Sequence, residues 1–133
     1  LAAAADTATP LTLRKVSSGF ITATAHGADD GELQHWAALA QSGLTLALYM
    51  GKSISADVAA RLIAHGAAPG LPVGIVVNAG RDAKATYAGT LAELAAARVT
   101  FGNGPAIIFV GEAVAAGDWA EAARLAGGSF RIA

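Results

Sequence analysis

Three short apolar runs, residues 44–49, 75–77 and 107–110, break the chain into segments. Runs of this length, with β-branched residues among them, predict strands covered on both faces. Between them the period changes to that of a helix. Leu33, Trp36, Ala37 and Ala40 recur at helical spacing behind Asp30 as N-cap. Val58, Leu62 and Ile63 do so behind Ser55, with Gly66 as the stop signal and Pro69 beyond it. Thr90-x-x-Glu93 has the form of a capping box, in which each residue satisfies the other's backbone N–H, and Leu94 and Ala95 follow on one face. Asp118-x-x-Glu121 predicts a further helix start, ended by Gly127-Gly128. Residues 10–26, rich in Thr, Ser and Val, predict extended chain, and residues 84–88 a short polar edge strand. Residues 1–5 read as the end of a helix. Alternating strands and helices make this an α/β fold, a layered sheet with flanking helices.

The length, 133 residues, suits a single domain able to build its own core. Hydrophobic residues make up 54%, yet no stretch of about 18 apolar residues runs unbroken, so no membrane-spanning helix is expected. Residues 1–5 are apolar but lack the basic leader and long core of a signal peptide. A net charge of −1 gives no electrostatic basis for binding nucleic acid or an anionic membrane. With no cysteine, disulfides and thiolate metal sites are excluded.

Gly51-Lys52-Ser53 looks like the tail of a phosphate-binding loop. That loop needs a glycine five residues before the Gly-Lys pair, and Leu46 stands there, inside an apolar run. Lys52 is therefore read as a solvated turn residue. Gly102-Asn103-Gly104-Pro105 reads as a turn. His26, His35 and His65 have no metal-ligand spacing, so no metal site is expected, and His65 suits a helix C-terminus. Asp29-Asp30 reads as a solvated turn and cap. Met50 stands at the carboxyl end of a predicted buried strand, and Asn78-Ala79-Gly80 follows another, residues 73–77. In open α/β sheets ligands bind outside such ends, so the two form either one wall of a cleft or two ordinary turns. No acid–base or nucleophile set can be assigned, and the catalytic residues stay unknown.

The ordered series "PLTLR", "TAHG", "ELQHWAALA", "TLALYMGKS", "ARLIAHGAAPGLPVGIVVNAGR", "GTLAELAA" and "GPAIIFVGEAV" spans residues 10–114. It resembles the C-terminal half of uroporphyrinogen-III C-methyltransferases, of the tetrapyrrole methylase family, which also form the methylase module of siroheme synthase. The resemblance implies two α/β domains with S-adenosylmethionine in the cleft between them. It implies a cytoplasmic homodimer of the siroheme and cobalamin pathways, which methylates two pyrrole carbons of uroporphyrinogen III to give precorrin-2. It implies that residues 1–133 are the C-terminal domain, with a glycine-rich N-terminal half and a Thr-Ala cofactor contact upstream. By position, Met50 matches a cofactor-contacting residue, and Ala79 a place where a small residue approaches the cofactor. The chain departs from the pattern at Leu13, where the family carries His, at Val77, where it carries Glu, and at Ala25 within "TAH". Two other functions stay open at this stage: a non-catalytic α/β domain that dimerises or binds a small molecule, and methylation of a later corrin precursor.

Overall fold

The computed structural model describes residues 3, 7, 19–25, 27–50, 55–77, 85–96 and 106–125. Its elements are β1 (Phe20–Thr24), α1 (Asp30–Gln41), β2 (Thr45–Met50), α2 (Ser55–Ala64), β3 (Pro72–Val77), β4 (Ala85–Thr90), α3 (Leu91–Ala96), β5 (Ala106–Val110), a 3₁₀ turn (Glu112–Ala116) and β6 (Ala123–Arg124). The strands form one sheet in the order β1-β2-β5-β3-β4-β6. β1 and β2 are parallel, joined through α1. β5 is inserted antiparallel between β2 and β3, so those two strands run in the same direction.

The alternation of side chains divides the sheet's residues between two cores. Leu46, Leu48, Val73, Ile75, Ile108 and Val110 face the helices and pack with Leu33, Trp36, Val58, Leu62, Leu91 and Leu94. Ala47, Val76, Ala88, Ile107 and Phe109 face the other way, under Ala3, Val114 and Trp119. The apolar runs are thus buried on both sides, as their composition required. All three described helices pack on the first face.

Local signals set most boundaries. The buried positions of α1 are the predicted Leu33, Trp36, Ala37 and Ala40, but its N-cap is Asp29 rather than Asp30. Asp29 is extended and its Oδ1 accepts the Glu32 N–H at 2.8 Å, which leaves Asp30 as the first helical residue. Gly66 adopts φ 105° and ends α2. Its N–H reaches the Ile63 carbonyl at 2.9 Å and the Ala67 N–H the Leu62 carbonyl at 3.0 Å, a Schellman pair. The capping box of α3 is formed: Thr90 N–H to Glu93 Oε1 at 2.8 Å and Glu93 N–H to Thr90 Oγ1 at 3.2 Å. Ala3 is helical, and the Thr7 N–H bonds its carbonyl at 3.3 Å.

The helix expected from Asp118 does not form. Asp118 Oδ1 does accept the Ala120 N–H at 3.3 Å, as a cap would, but no helix follows: the chain turns into β6. This extended path buries Trp119 and Leu125 on opposite faces of the sheet, and β4 supplies the backbone partners. The expected polar edge strand is correspondingly the longer β4, with two-residue β6 alongside it.

Candidate active site

The pairing register fixes what meets at one end of the sheet. Met50, the last residue of β2, and Val77, the last of β3, both pair with Ala106, the first of β5. Val77 also pairs with Ala85, the first of β4. The Ala25 N–H, just past β1, bonds the Tyr49 carbonyl at 2.8 Å. The carboxyl ends of β1, β2 and β3 therefore open toward the same side. Met50 and Val77 are separated by two strand spacings, roughly 10 Å. The described side chains in this row are short: Ala25 and Ala106 are buried and Ala85 is half-buried. With Val77 buried as well, none of the described side chains in this row puts a large group over the backbone at these ends.

Of the two residues singled out from sequence, Met50 takes the expected strand-end position. Ala79 follows Val77 by two residues and lies outside the described part of the chain, as do Asn78, Gly80, Lys52, His26, Leu13 and the glycine cluster at 102–104. Val77 itself is 2% exposed and belongs to the helix-side core. An apolar residue suits that setting, where an unpaired Glu would carry a desolvation cost.

No cluster among the described residues has the three donors needed to hold a metal ion. His65 lies 3.6 Å from Asp30, whose carboxylate also pairs with Arg61. The Arg61 hydrogen bond, more than its charge, holds the Asp30 carboxyl below the usual range. This triad ties α1 to α2 on the exposed surface and is not part of the strand-end row. Burial pushes the Tyr87 phenol up, on the helix side of β4. Among the described residues no helix is long and apolar enough to cross a membrane.

Two features escaped the sequence. Tyr49, beside Met50, is 39% exposed, the larger part of its run being buried. Its signal is the alternation in β1, whose exposed residues Phe20, Thr22 and Thr24 share its face. The other feature is a cavity of about 510 Å³ at the opposite end of the sheet, lined by Pro72, Thr90, Glu93, Trp119 and Arg124 among others.

Residues 1–95 match the family of Tetrapyrrole (Corrin/Porphyrin) Methylases. The chain is 39% identical over 113 residues to uroporphyrinogen-III C-methyltransferase of Pseudomonas aeruginosa, covering 84% of this chain and 46% of that protein. It is 38% identical over 109 residues to siroheme synthase of Tolumonas auensis, covering 82% of this chain and 23% of that one. Among solved structures, uroporphyrin-III C-methyltransferase of Thermus thermophilus, complexed with S-adenosylhomocysteine, superposes with TM-score 0.67 at 26% identity, over 82% of this chain and 48% of that one. The chain thus spans about half the length, or less, of the relatives it matches. Its sheet, its ordered motifs and these matches agree: the chain belongs to the tetrapyrrole methylase family.

Proposed function

We propose that this chain is the C-terminal domain of an S-adenosylmethionine-dependent methyltransferase that converts uroporphyrinogen III to precorrin-2, for siroheme and cobalamin. The observation that carries the proposal is the convergence of the Met50 and Val77 strand ends on Ala106. It occurs in a chain 39% identical to an enzyme named for that reaction. A short-side-chain row at the carboxyl ends suits a nucleoside-bearing cofactor, which Met50 and Ala79 would hold. When bound, that cofactor supplies an electrophilic methyl group for a pyrrole carbon. The protein's part is to hold the row rigid through β2, β5 and β3, to align the macrocycle and to keep water away. Residues 51–54 leave Met50 and residues 78–84 link Val77 to Ala85. They carry Lys52, Arg81 and Lys84 against Asp82, a local cationic excess in a chain of net charge −1. That excess suits the acetate and propionate side chains of a uroporphyrinogen. The active form is proposed to be a cytoplasmic homodimer whose sites need the further half present in the relatives.

The test is methyl transfer. The complete protein, given labelled S-adenosylmethionine and uroporphyrinogen III, is expected to yield a doubly methylated product, and residues 1–133 alone none. Labelling only of a later corrin precursor would move the assignment along the pathway. Failure to label any tetrapyrrole would leave a binding or dimerisation domain.

A further inference from the structure

The second face of the sheet is fastened to Ala3 and Thr7. Ala3 is fully buried in the core that holds Val76, Ile107, Phe109, Val114 and Trp119. Thr7 is buried too, and its hydroxyl donates to the Ala3 carbonyl at 3.0 Å, as its N–H does at 3.3 Å. The Thr7 carbonyl in turn accepts the Asp118 N–H at 2.6 Å. The next residue, Trp119, lays its indole on the backbone of Gly74 and anchors Nε1–H on the Val114 carbonyl at 2.8 Å. Asp118 and Trp119 thus grip Thr7 on one side and the middle of β3 on the other. Val76 and Ile107 of this core are the chain neighbours of Val77 and Ala106 in the strand-end row. Gly74, under the indole, lies three residues, roughly 10 Å, before Val77 along β3.

We infer that Asp118 and Trp119 are positioning residues: they fix where the chain passes at Ala3 and Thr7, and so where an upstream half stands relative to the strand ends. The inference rests on the reading under Proposed function that such a half completes the site. Two local costs meet at this one contact. Asp118-x-x-Glu121 has the spacing of a helix start, and Asp118 Oδ1 even makes the cap-like bond to Ala120, yet no helix follows. A local preference is given up where a tertiary requirement overrides it, most often at functional or strained places. A glycine inside a buried strand is also unfavourable, and Gly74 makes room for the indole. A site built between two halves needs such a tie, because a misplacement of about 1 Å can cost about 10²-fold. An indole held at both its ring and its N–H, next to a backbone hydrogen bond, supplies the tie without either residue touching a ligand.

The test uses the complete protein, with S-adenosylhomocysteine titrated by calorimetry and amide hydrogen exchange followed residue by residue. Asp118→Pro removes the N–H that Thr7 accepts. Gly117 before it is already extended, with ψ 171°, as a residue before proline must be. In this variant the Thr7 amide is expected to exchange about 10-fold faster or more, while the amides of β3 and β5 keep their protection. S-adenosylhomocysteine affinity is expected to fall about 10-fold. Trp119→Ala is expected to lose about 10-fold or more, measured at a temperature where its β3 amides are still protected. Trp119→Phe, which keeps a ring on Gly74, is expected to recover affinity to within about 3-fold of the unaltered protein. Unchanged affinity in Asp118→Pro with Thr7 opened overturns the inference, because the tie then positions nothing. Unchanged Thr7 exchange overturns it as well, because Asp118 is then not the tie. So does a loss of protection in β3 and β5 that accompanies every loss of affinity, the mark of a merely structural role. An unaltered protein that does not bind S-adenosylhomocysteine overturns the reading under Proposed function and this inference with it. Binding that is equally tight in the unaltered protein and all three variants overturns this inference alone.

Discussion

Gly74 sits in the middle of β3 on the second face, under the indole of Trp119. A Cβ at Gly74 would overlap Cζ2 and Cη2 of that ring and come within 2.9 Å of Cε2. The indole is poorly placed to yield. It is 8% exposed, and its Nε1–H donates to the Val114 carbonyl at 2.8 Å. Two effects of Gly74→Ala compete. Alanine restricts the unfolded chain and favours the native state by about 0.4–1 kcal/mol. Overpacking against a fixed ring costs about 1–3 kcal/mol, with rigid ring atoms pointing to the upper end. The net expectation is a loss of about 2 kcal/mol. Urea denaturation with an unchanged slope measures it. Trp119→Ala alone is expected to cost about 3–5 kcal/mol through the cavity left behind. In the double variant the clash is gone, so the combined loss should fall short of the sum by at least about 1 kcal/mol. Gly74→Ala within about 0.5 kcal/mol of the parent, or strict additivity, refutes the packing of Trp119 on β3.

Met50→Ala and Ala79→Leu in the complete protein are each expected to weaken S-adenosylmethionine binding, Ala79→Leu by about 10-fold or more. Unchanged affinity with an unchanged melt removes that position from the cofactor site. Asp30 has a depressed carboxyl pKa, caused first by its hydrogen bond to Arg61. Its stabilising effect is therefore present above the unfolded carboxyl pKa and is lost as pH falls through the lower, folded value. Asp30→Asn should lower the melting temperature slightly at neutral pH, less at high salt, and the difference should vanish in acid. A difference that persists in acid contradicts the charge-pair explanation.

Local chemistry was legible in the sequence where it acts over one turn. The buried stripe of α1, the Gly66 stop and the Thr90–Glu93 box depend only on neighbours. Asp118 and Glu121 have the spacing of a cap too, but there the edge of β4 and the burial of Trp119 and Leu125 decide the backbone. Nothing local announces that β5 inserts between β2 and β3, because that pairing joins residues far apart in sequence. Met50 was legible as a strand end. Tyr49 was not, since an apolar run reads as buried throughout, and only the bareness of the second face over β1 exposes its last aromatic. The cofactor and substrate came from resemblance in the ordered motifs, not from any acid, base or metal pattern.

Amide chemical-shift mapping of the isotopically labelled complete protein, titrated with S-adenosylhomocysteine, addresses the site most directly. The sheet offers two ends, and they are chemically distinct. The expected result is a set of saturable shifts centred on Ala25, Met50, Val77 and Ala106, the residues joined by the strand-end register. Shifts centred instead on Thr90, Glu93, Trp119 and Arg124, around the cavity at the other end, would contradict the assignment of the cofactor to the carboxyl ends of β2 and β3.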